Sequence, residues 1–193
     1  MLNTQTVEFN NKGKQCKGEM DFFTQASIEK IREYYFSWKQ LNAINLSFNI
    51  RRINLPELVS EGLLCALFGW GRTNNSTMEG LGYSSCDAVD IKTGETIQIK
   101  GCSTIAGRTP GPTSFGPESK FDRLVFAHFD CEEDMVYVYD FKDDYLQLKV
   151  NATETVLDQQ KQGRRPRLTL LSIVKNQGLP PLIKFNLKTG EII

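Results

Sequence analysis

The chain has 193 residues, and its 23 basic and 23 acidic side chains give a formal net charge of zero. With 40% hydrophobic and 24% charged residues, the composition excludes a disordered or fibrous chain and fits one folded domain over 1–193, led by a polar, Lys-rich arm at about 1–20. No stretch reaches the length of a bilayer span, the N-terminus has no apolar signal core, and the five cysteines form no CxxC pair, so a cytoplasmic protein with reduced thiols and no zinc site is expected.

The polar lead-in has no strong periodicity and is expected to be irregular. From Asp21 to about Ile44 the apolar residues Phe22, Ala26, Ile28, Ile31, Tyr35, Trp38 and Leu41 recur at helical spacing, which predicts a core helix. Phe48, Ile50 and Ile53 suggest a short extended segment carrying Arg51 and Arg52. A second helix is predicted over Pro56–Phe68, with proline in its first turn and Gly69 and Gly71 as the stop. Trp70 to Ser85 is rich in Gly, Asn and Ser and reads as a loop; its glycines form neither GxGxxG after a strand nor a GKS/GKT, which argues against nucleotide binding.

A hairpin follows, Cys86 to Lys100. Two β-prone runs flank Thr93-Gly94, and with those two as the loop Val89 faces Gln98 and Asp87 faces Lys100. Side chains alternate along a strand, so Asp87, Val89, Gln98 and Lys100 share one face while Asp90 and Ile97 take the other. A carboxylate, an amide and an ammonium thereby converge at one end of the hairpin, an arrangement able to hold a divalent metal and a water beside a phosphate. The segment Arg108–Pro117 is an irregular surface loop. Strands are predicted at Leu124–Phe129 and Met135–Phe141, a helix at Asn151 to about Lys161, and a further β-prone run at Leu168–Val174. Between the last two lies a basic loop, Arg164-Arg165-Pro166-Arg167. The tail repeats Lys-Thr-Gly-Glu at Lys188–Glu191, which marks that tetrapeptide as a generic hairpin turn.

The single histidine, His128, excludes HExxH metalloproteases and His-rich ββα-metal nucleases. It sits in an apolar strand-like run, where a satisfied structural hydrogen bond is expected rather than general-base work. Trp70 and Phe115 are expected to pack rather than to touch bases. The neutral charge balance leaves nucleic acid open as a partner, because an acidic metal site offsets a basic surface elsewhere.

The run Pro56-Glu57-x-x-Ser60-Glu61, then Asp87, then Gln98-Ile99-Lys100, then Ser114-Phe115-Gly116-Pro117 leading into Phe121-Asp122-x-Leu124-x-Phe126 resembles type II restriction endonucleases of the PD-(D/E)xK superfamily. Within them it is similar to the small Bsp-six-I-type group, whose expected target is a GC-rich site with an unspecified central base. The resemblance covers about residues 50–130. It implies an α/β (mixed α+β) restriction-endonuclease-like core, a central mixed β-sheet flanked by helices, with a Mg²⁺-dependent site at the sheet edge. Carried over by position, Asp87 is the metal-binding acid, Gln98 stands where Glu or Asp is usual, Lys100 is the lysine and Glu61 is an auxiliary carboxylate from the second helix. The Ile99 carbonyl is a further metal ligand. Two departures stand out: Cys86 replaces the motif's proline, and Gln98 removes one negative charge.

That reading makes double-stranded DNA the substrate and a homodimer the expected assembly, because a symmetric site with two cleaved strands matches a two-fold axis. A companion DNA methyltransferase is compatible with it, but not as a stable subunit. Guanine readers and phosphate clamps are sought among Arg108, Lys120, Arg123, Arg164, Arg165 and Arg167. Two rivals remain: a repair or junction-resolving nuclease of the same superfamily, and a catalytically silent DNA-binding protein.

Overall fold

A computed structural model describes residues 2–81, 86–105 and 110–193. Its frame is a curled sheet of nine strands in the order β1-β2-β3-β4-β5-β7-β8-β10-β11. These are Asn3–Asn11 (β1), Lys14–Phe22 (β2), Gly71–Thr73 (β3), Ala88–Asp90 (β4), Glu95–Thr104 (β5), Arg123–Asp130 (β7), Met135–Asp140 (β8), Ile183–Asn186 (β10) and Glu191–Ile192 (β11). Among the described residues β5 and β7 pair in parallel, from Ile97↔Arg123 to Thr104↔Asp130, and the other ladders of this sheet are antiparallel, so the sheet is mixed. A separate two-stranded ribbon joins Thr113–Ser114 (β6) to Arg167–Leu168 (β9).

Among the described residues, the α-helices that flank the sheet are Gln25–Ser47 (α1), Leu63–Phe68 (α2), Val156–Lys161 (α3) and Leu170–Gln177 (α4). Strand β7 is buried from Leu124 to Phe129 because both of its faces are covered. Val125, Ala127 and Phe129 pack with Ile97, Ile99 and the α1–α2 layer, whereas Leu124 and Phe126 pack with Phe115, Phe121, Leu170 and Val174. Among the described residues no helix is long and apolar enough to cross a membrane.

Helix α1 starts at Gln25, four residues later than the periodicity suggested, because Phe22 still pairs with Asn3 as the last residue of β2. Thr24 then caps the helix, its N–H donating to Ser27 Oγ at 3.0 Å. The polar lead-in is a long hairpin and not an irregular arm. Phe9, Cys16 and Met20 are buried at alternate positions against Cys86 and Val89, a two-residue pattern diluted by the polar outer face. The segment carrying Arg51 and Arg52 is irregular rather than extended: Trp38 Nε1 donates to the carbonyls of Ile53 (3.1 Å) and Asn54 (2.9 Å), and Asn42 Oδ1 accepts from Ile53 N (2.8 Å). The loop predicted from Trp70 contains β3, a strand too short to register in the pattern. The β-prone run at Leu168–Val174 is mostly helix α4. Leu170, Leu171 and Val174 are buried at helical spacing, and Gly178 closes the helix in the left-handed conformation (φ 61°). Of the aromatic and histidine expectations, Trp70 and Phe115 are both buried, and His128 is buried with Nε2 3.0 Å from Thr104 Oγ1.

Asp134, in the β7–β8 turn, ties α1 to the sheet. Its buried carboxylate accepts from Tyr35 OH (3.0 Å) and Lys39 Nζ (2.5 Å) and pairs with Lys188 Nζ (3.2 Å). Burial pushes this carboxyl up, but the Lys39, Tyr35 and Lys188 hydrogen bonds outweigh it and hold it below the usual carboxylate range. Asp134→Ala should destabilise the fold by about 3 kcal/mol, since it removes the carboxylate that accepts from the buried Tyr35 hydroxyl and from Lys39. A carboxyl with a depressed folded pKa stabilises above its unfolded value and loses that contribution as pH falls. The difference between wild type and variant in urea melts should therefore shrink below about pH 4; a gap independent of pH would mean that the charge contributes nothing.

Candidate active site

The hairpin turn differs from the sequence expectation in a way that leaves the site intact. Strands β4 and β5 pair Ala88↔Ile97, Val89↔Thr96 and Asp90↔Glu95, so the loop has four residues, Ile91–Gly94, and not two. Continuing that register sets Asp87 opposite Gln98 rather than Lys100. The pairing has slipped by two residues, one full period of a strand, so every side chain keeps its face. Asp90 closes its own turn, its carbonyl accepting from Gly94 N at 2.7 Å and its carboxylate from Lys92 N at 3.0 Å.

Packing of the N-terminal hairpin sets the longer loop. Gly94 has φ 75°, and a Cβ there would lie 1.8 Å from the Asn10 carbonyl oxygen, so only glycine lets the two turns touch. Asn11 Nδ2 then donates to the Gly94 carbonyl and to Asp122, both at 2.8 Å, and Asp122 also accepts from Thr96 N at 2.8 Å and pairs with Lys12 Nζ at 2.5 Å. Asp122, part of the recognisable run after the lysine strand, is thus a structural clasp on the start of β5.

At the other end of the hairpin β4 stops and β5 runs on, leaving the Ile99 N–H without a strand partner. The Asp87 carboxylate takes that place: its Oδ2 accepts from Ile99 N at 2.7 Å and from Gln98 Nε2, and Lys100 Nζ lies 3.8 Å away. Burial pushes the Asp87 carboxyl up; Lys100, the Ile99 N–H and the Gln98 amide oppose that, and Glu57 adds to it. Three of the sequence-predicted groups therefore meet as one cluster, with Ile99 contributing its backbone.

Glu61 arrives from the helical layer. It lies in a π-helical turn, Leu58–Gly62, that precedes α2, so the predicted helix over 56–68 is split. The turn sits close on β5 because Gly101 has no side chain: a Cβ there would lie 2.7 Å from Ser60 Cβ. Burial and the neighbouring Asp87 charge push the Glu61 carboxyl up to about 7, against the pull of Arg72. Arg72 Nε donates to Glu61 Oε2 at 2.8 Å. Arg72 and Glu57 are charged neighbours of the cluster; Glu57 stands in the run from Pro56 without a role assigned to it there, and sequence reasoning missed Arg72. Arg72 lies in the glycine-rich stretch read as loop, and only the pairing of Arg72 with Ala88 and Asp21 places it here.

Among the described residues no three His, Cys, Asp or Glu side chains converge as a ligand group on their own. The donor set does fit a hard divalent cation: two carboxylates, the Ile99 carbonyl and the Gln98 amide are all oxygen donors, and both carboxyls are pushed up by burial, Glu61 also by the Asp87 charge, despite Lys100 and Arg72 beside them. Gln98 acts here as a spacer that donates to Asp87, where a glutamate would repel it. Gln98→Glu should lower the metal-free melting temperature by several degrees, since a buried hydrogen bond worth about 1–3 kcal/mol becomes a like-charge contact. Divalent metal should restore most of the loss. An unchanged melting temperature in chelator would show that the amide does not support Asp87.

The cationic candidates are dispersed. Arg123 is engaged inside the protein, with Asp140 at 2.6 Å, Glu95 at 3.3 Å and its guanidinium 5.4 Å over the Trp70 ring. Lys120 is exposed beside a pocket of about 270 Å³ that Lys12 and Lys14 also line, both missed in the sequence. Arg164 pairs with Glu154, while Arg165 and Arg167 are exposed. Ribbon β6–β9 ties this basic loop to the segment after Pro110. Arg108 lies outside the described residues. A groove of about 430 Å³ opens directly after Lys100, between Arg52–Leu55, Gly101–Ser103 and Pro110–Thr113.

The sequence pattern of the Bsp6I restriction endonuclease family matches residues 23–177, which spans every element of this cluster. The chain belongs to that family. Type II restriction enzyme Bsp6I from Bacillus sp. (strain RFL6) is 38% identical over 173 residues, 88% of this chain and 93% of the relative. As a member of the Bsp6I family the protein is a type II restriction endonuclease, and its mixed sheet with flanking helices is a restriction-endonuclease-like core.

Proposed function

We propose that this endonuclease hydrolyses double-stranded DNA at a short GC-rich interrupted sequence, with Mg²⁺ as cofactor, and that Asp87, Gln98, Lys100 and Glu61 form its PD-(D/E)xK-type site. The observation that carries the reading is the Asp87 carboxylate, held by Gln98 and Ile99 N with Lys100 Nζ 3.8 Å away, in a chain of this family. Restriction enzymes of type II act on double-stranded DNA and generally need a divalent metal. Here Asp87, the Ile99 carbonyl and Glu61 would hold it, and its chemistry is to lower the pKa of an attacking water and to neutralise phosphate charge.

The chain's own groups do the rest. Gln98 and the Ile99 N–H fix the Asp87 carboxylate. Lys100, half-buried and next to Asp87, orients the water in line with the leaving 3′ oxygen and stabilises the negative charge that develops on the phosphorus centre. Arg72 holds Glu61 in place. Lys120, Arg165 and Arg167 supply open positive charge for DNA, with Lys12 and Lys14 beside Lys120. The enzyme works as a homodimer in the cytoplasm beside a separate methyltransferase.

Digestion of a plasmid of known sequence, with and without Mg²⁺, followed by sequencing of the ends, tests this. Discrete Mg²⁺-dependent fragments ending at one short sequence are expected. Preference for branched DNA would favour a junction-resolving nuclease, and binding without cutting a silent DNA-binding protein. For the basic loop, the triple variant Arg164→Ala, Arg165→Ala, Arg167→Ala should weaken binding to cognate and scrambled duplexes alike. It should also flatten the salt dependence, by about 1 in the log–log slope for each phosphate that the loop no longer neutralises. Arg164, already paired with Glu154, contributes least. Affinity and slope unchanged from wild type on both duplexes would place the loop outside the DNA interface.

A further inference from the structure

Helix α1 has two apolar faces and only one is covered. Ile28, Ile31, Tyr35 and Trp38 are buried in the core. About a quarter-turn round the helix, Tyr34, Leu41, Ile44 and Phe48 stand in solvent, with Leu41 51% and Phe48 73% exposed. Ile50 and Ile53 extend the patch, because the segment after α1 folds back onto Trp38 and Asn42. Six of the eleven large apolar side chains exposed among the described residues lie in this one band.

Its size and chemistry narrow the occupant. At roughly 100 Å² each, six such side chains present about 600 Å², at the top of what a monomer leaves open and most of the roughly 800 Å² per partner that a standard interface buries. No Lys or Arg lies on this flank of α1 between Tyr34 and Phe48, and the nearest cations, Arg51 and Arg52, stand at its far end between Ile50 and Ile53, so the centre of the band at Leu41 is apolar. The spacing is self-complementary. Tyr34 and Phe48 lie seven residues either side of Leu41, so a two-fold axis through Leu41 sets each against the other across two antiparallel helices. Ile53 also lines the groove that opens beside Gly101, so the band runs to the edge of the catalytic cluster.

We propose that a second copy of this chain docks on this flank of α1, antiparallel, with the two-fold axis at Leu41. The docking places two catalytic clusters on either side of one cleft, and it rests on the reading of the protein as a two-strand cutter. The test reads association, not cleavage, so that its failure is separate from a failure of that reading. Sedimentation equilibrium of the wild-type chain, alone and on duplex DNA, should give a dimer. Leu41→Glu and Phe48→Glu should each raise the dimer dissociation constant at least 100-fold with an unchanged melting temperature. All five native cysteines are buried, so Leu41→Cys adds one exposed thiol. Oxidation should link it to its copy, whereas Ala43→Cys, also exposed but about 160° round the helix from Leu41, should stay unlinked. A wild-type chain that is monomeric both free and on DNA, glutamate variants that still dimerise, or equal cross-linking at both positions would each overturn the proposal.

Discussion

Asp87→Asn should abolish DNA cleavage, lowering the single-turnover rate by at least about 10³-fold, the scale on which groups that manage transition-state charge act. The substitution keeps the shape of the side chain and an oxygen for the Ile99 N–H and the Gln98 amide, removes the negative charge and turns the other carboxylate oxygen into an N–H donor. Burial already pushes the Asp87 carboxyl up, so its charge is a cost to the folded chain and its loss should leave the melting temperature unchanged or slightly raised. Asp90→Ala is the matching control. Asp90 takes the other face of the strand, and among the described residues its carboxylate accepts from Lys92 N in its own turn at 3.0 Å, so cleavage should stay within a few-fold of wild type and stability should fall by about 1 kcal/mol. The two variants are compared by plasmid cleavage and thermal melts. Activity lost in Asp90→Ala and kept in Asp87→Asn would move the site to the opposite face of the hairpin.

Lys100→Met should lower the cleavage rate by about 10²–10³-fold while leaving DNA binding nearly intact. Methionine keeps the apolar stem and removes the ammonium that lies 3.8 Å from Asp87 Oδ2. One phosphate contact among several accounts for a small share of affinity, so filter binding in the absence of cleavage should change by less than about tenfold and the salt slope by no more than about 1. An equal fall in binding and in rate would recast Lys100 as a DNA anchor and leave the role beside the nucleophile unfilled.

The face of the hairpin was legible without coordinates, and its register was not. Alternation along 86–100 assigns Asp87, Gln98 and Lys100 to one side whether the loop has two residues or four, because a slip of two is a full strand period. Which residue faces Asp87 depends on the loop's backbone, and that backbone follows the approach of Asn10 to Gly94, more than eighty positions away. Leu168–Val174 failed for a related reason. A short apolar run suits a buried strand or a buried helix, and the turn of chain at Thr169 and the Gly178 cap decide between them.

By itself the sequence determined the mixed fold class, the helical core stripe from Ile28 to Trp38, the face carrying the catalytic candidates and, through the run from Pro56 to Phe126, the family. These are local periodicities and residue types in order along the chain, which survive errors of a residue or two in any boundary. Tertiary structure alone decided that Arg72 holds Glu61, that Asp122 clasps the N-terminal hairpin to β5, that Arg123 is engaged with Asp140 and that Leu41 and Phe48 stay uncovered. Each depends on elements far apart in sequence meeting across a curled sheet, and a charge or an apolar side chain has the same signature in the sequence whether it finds a partner there or none.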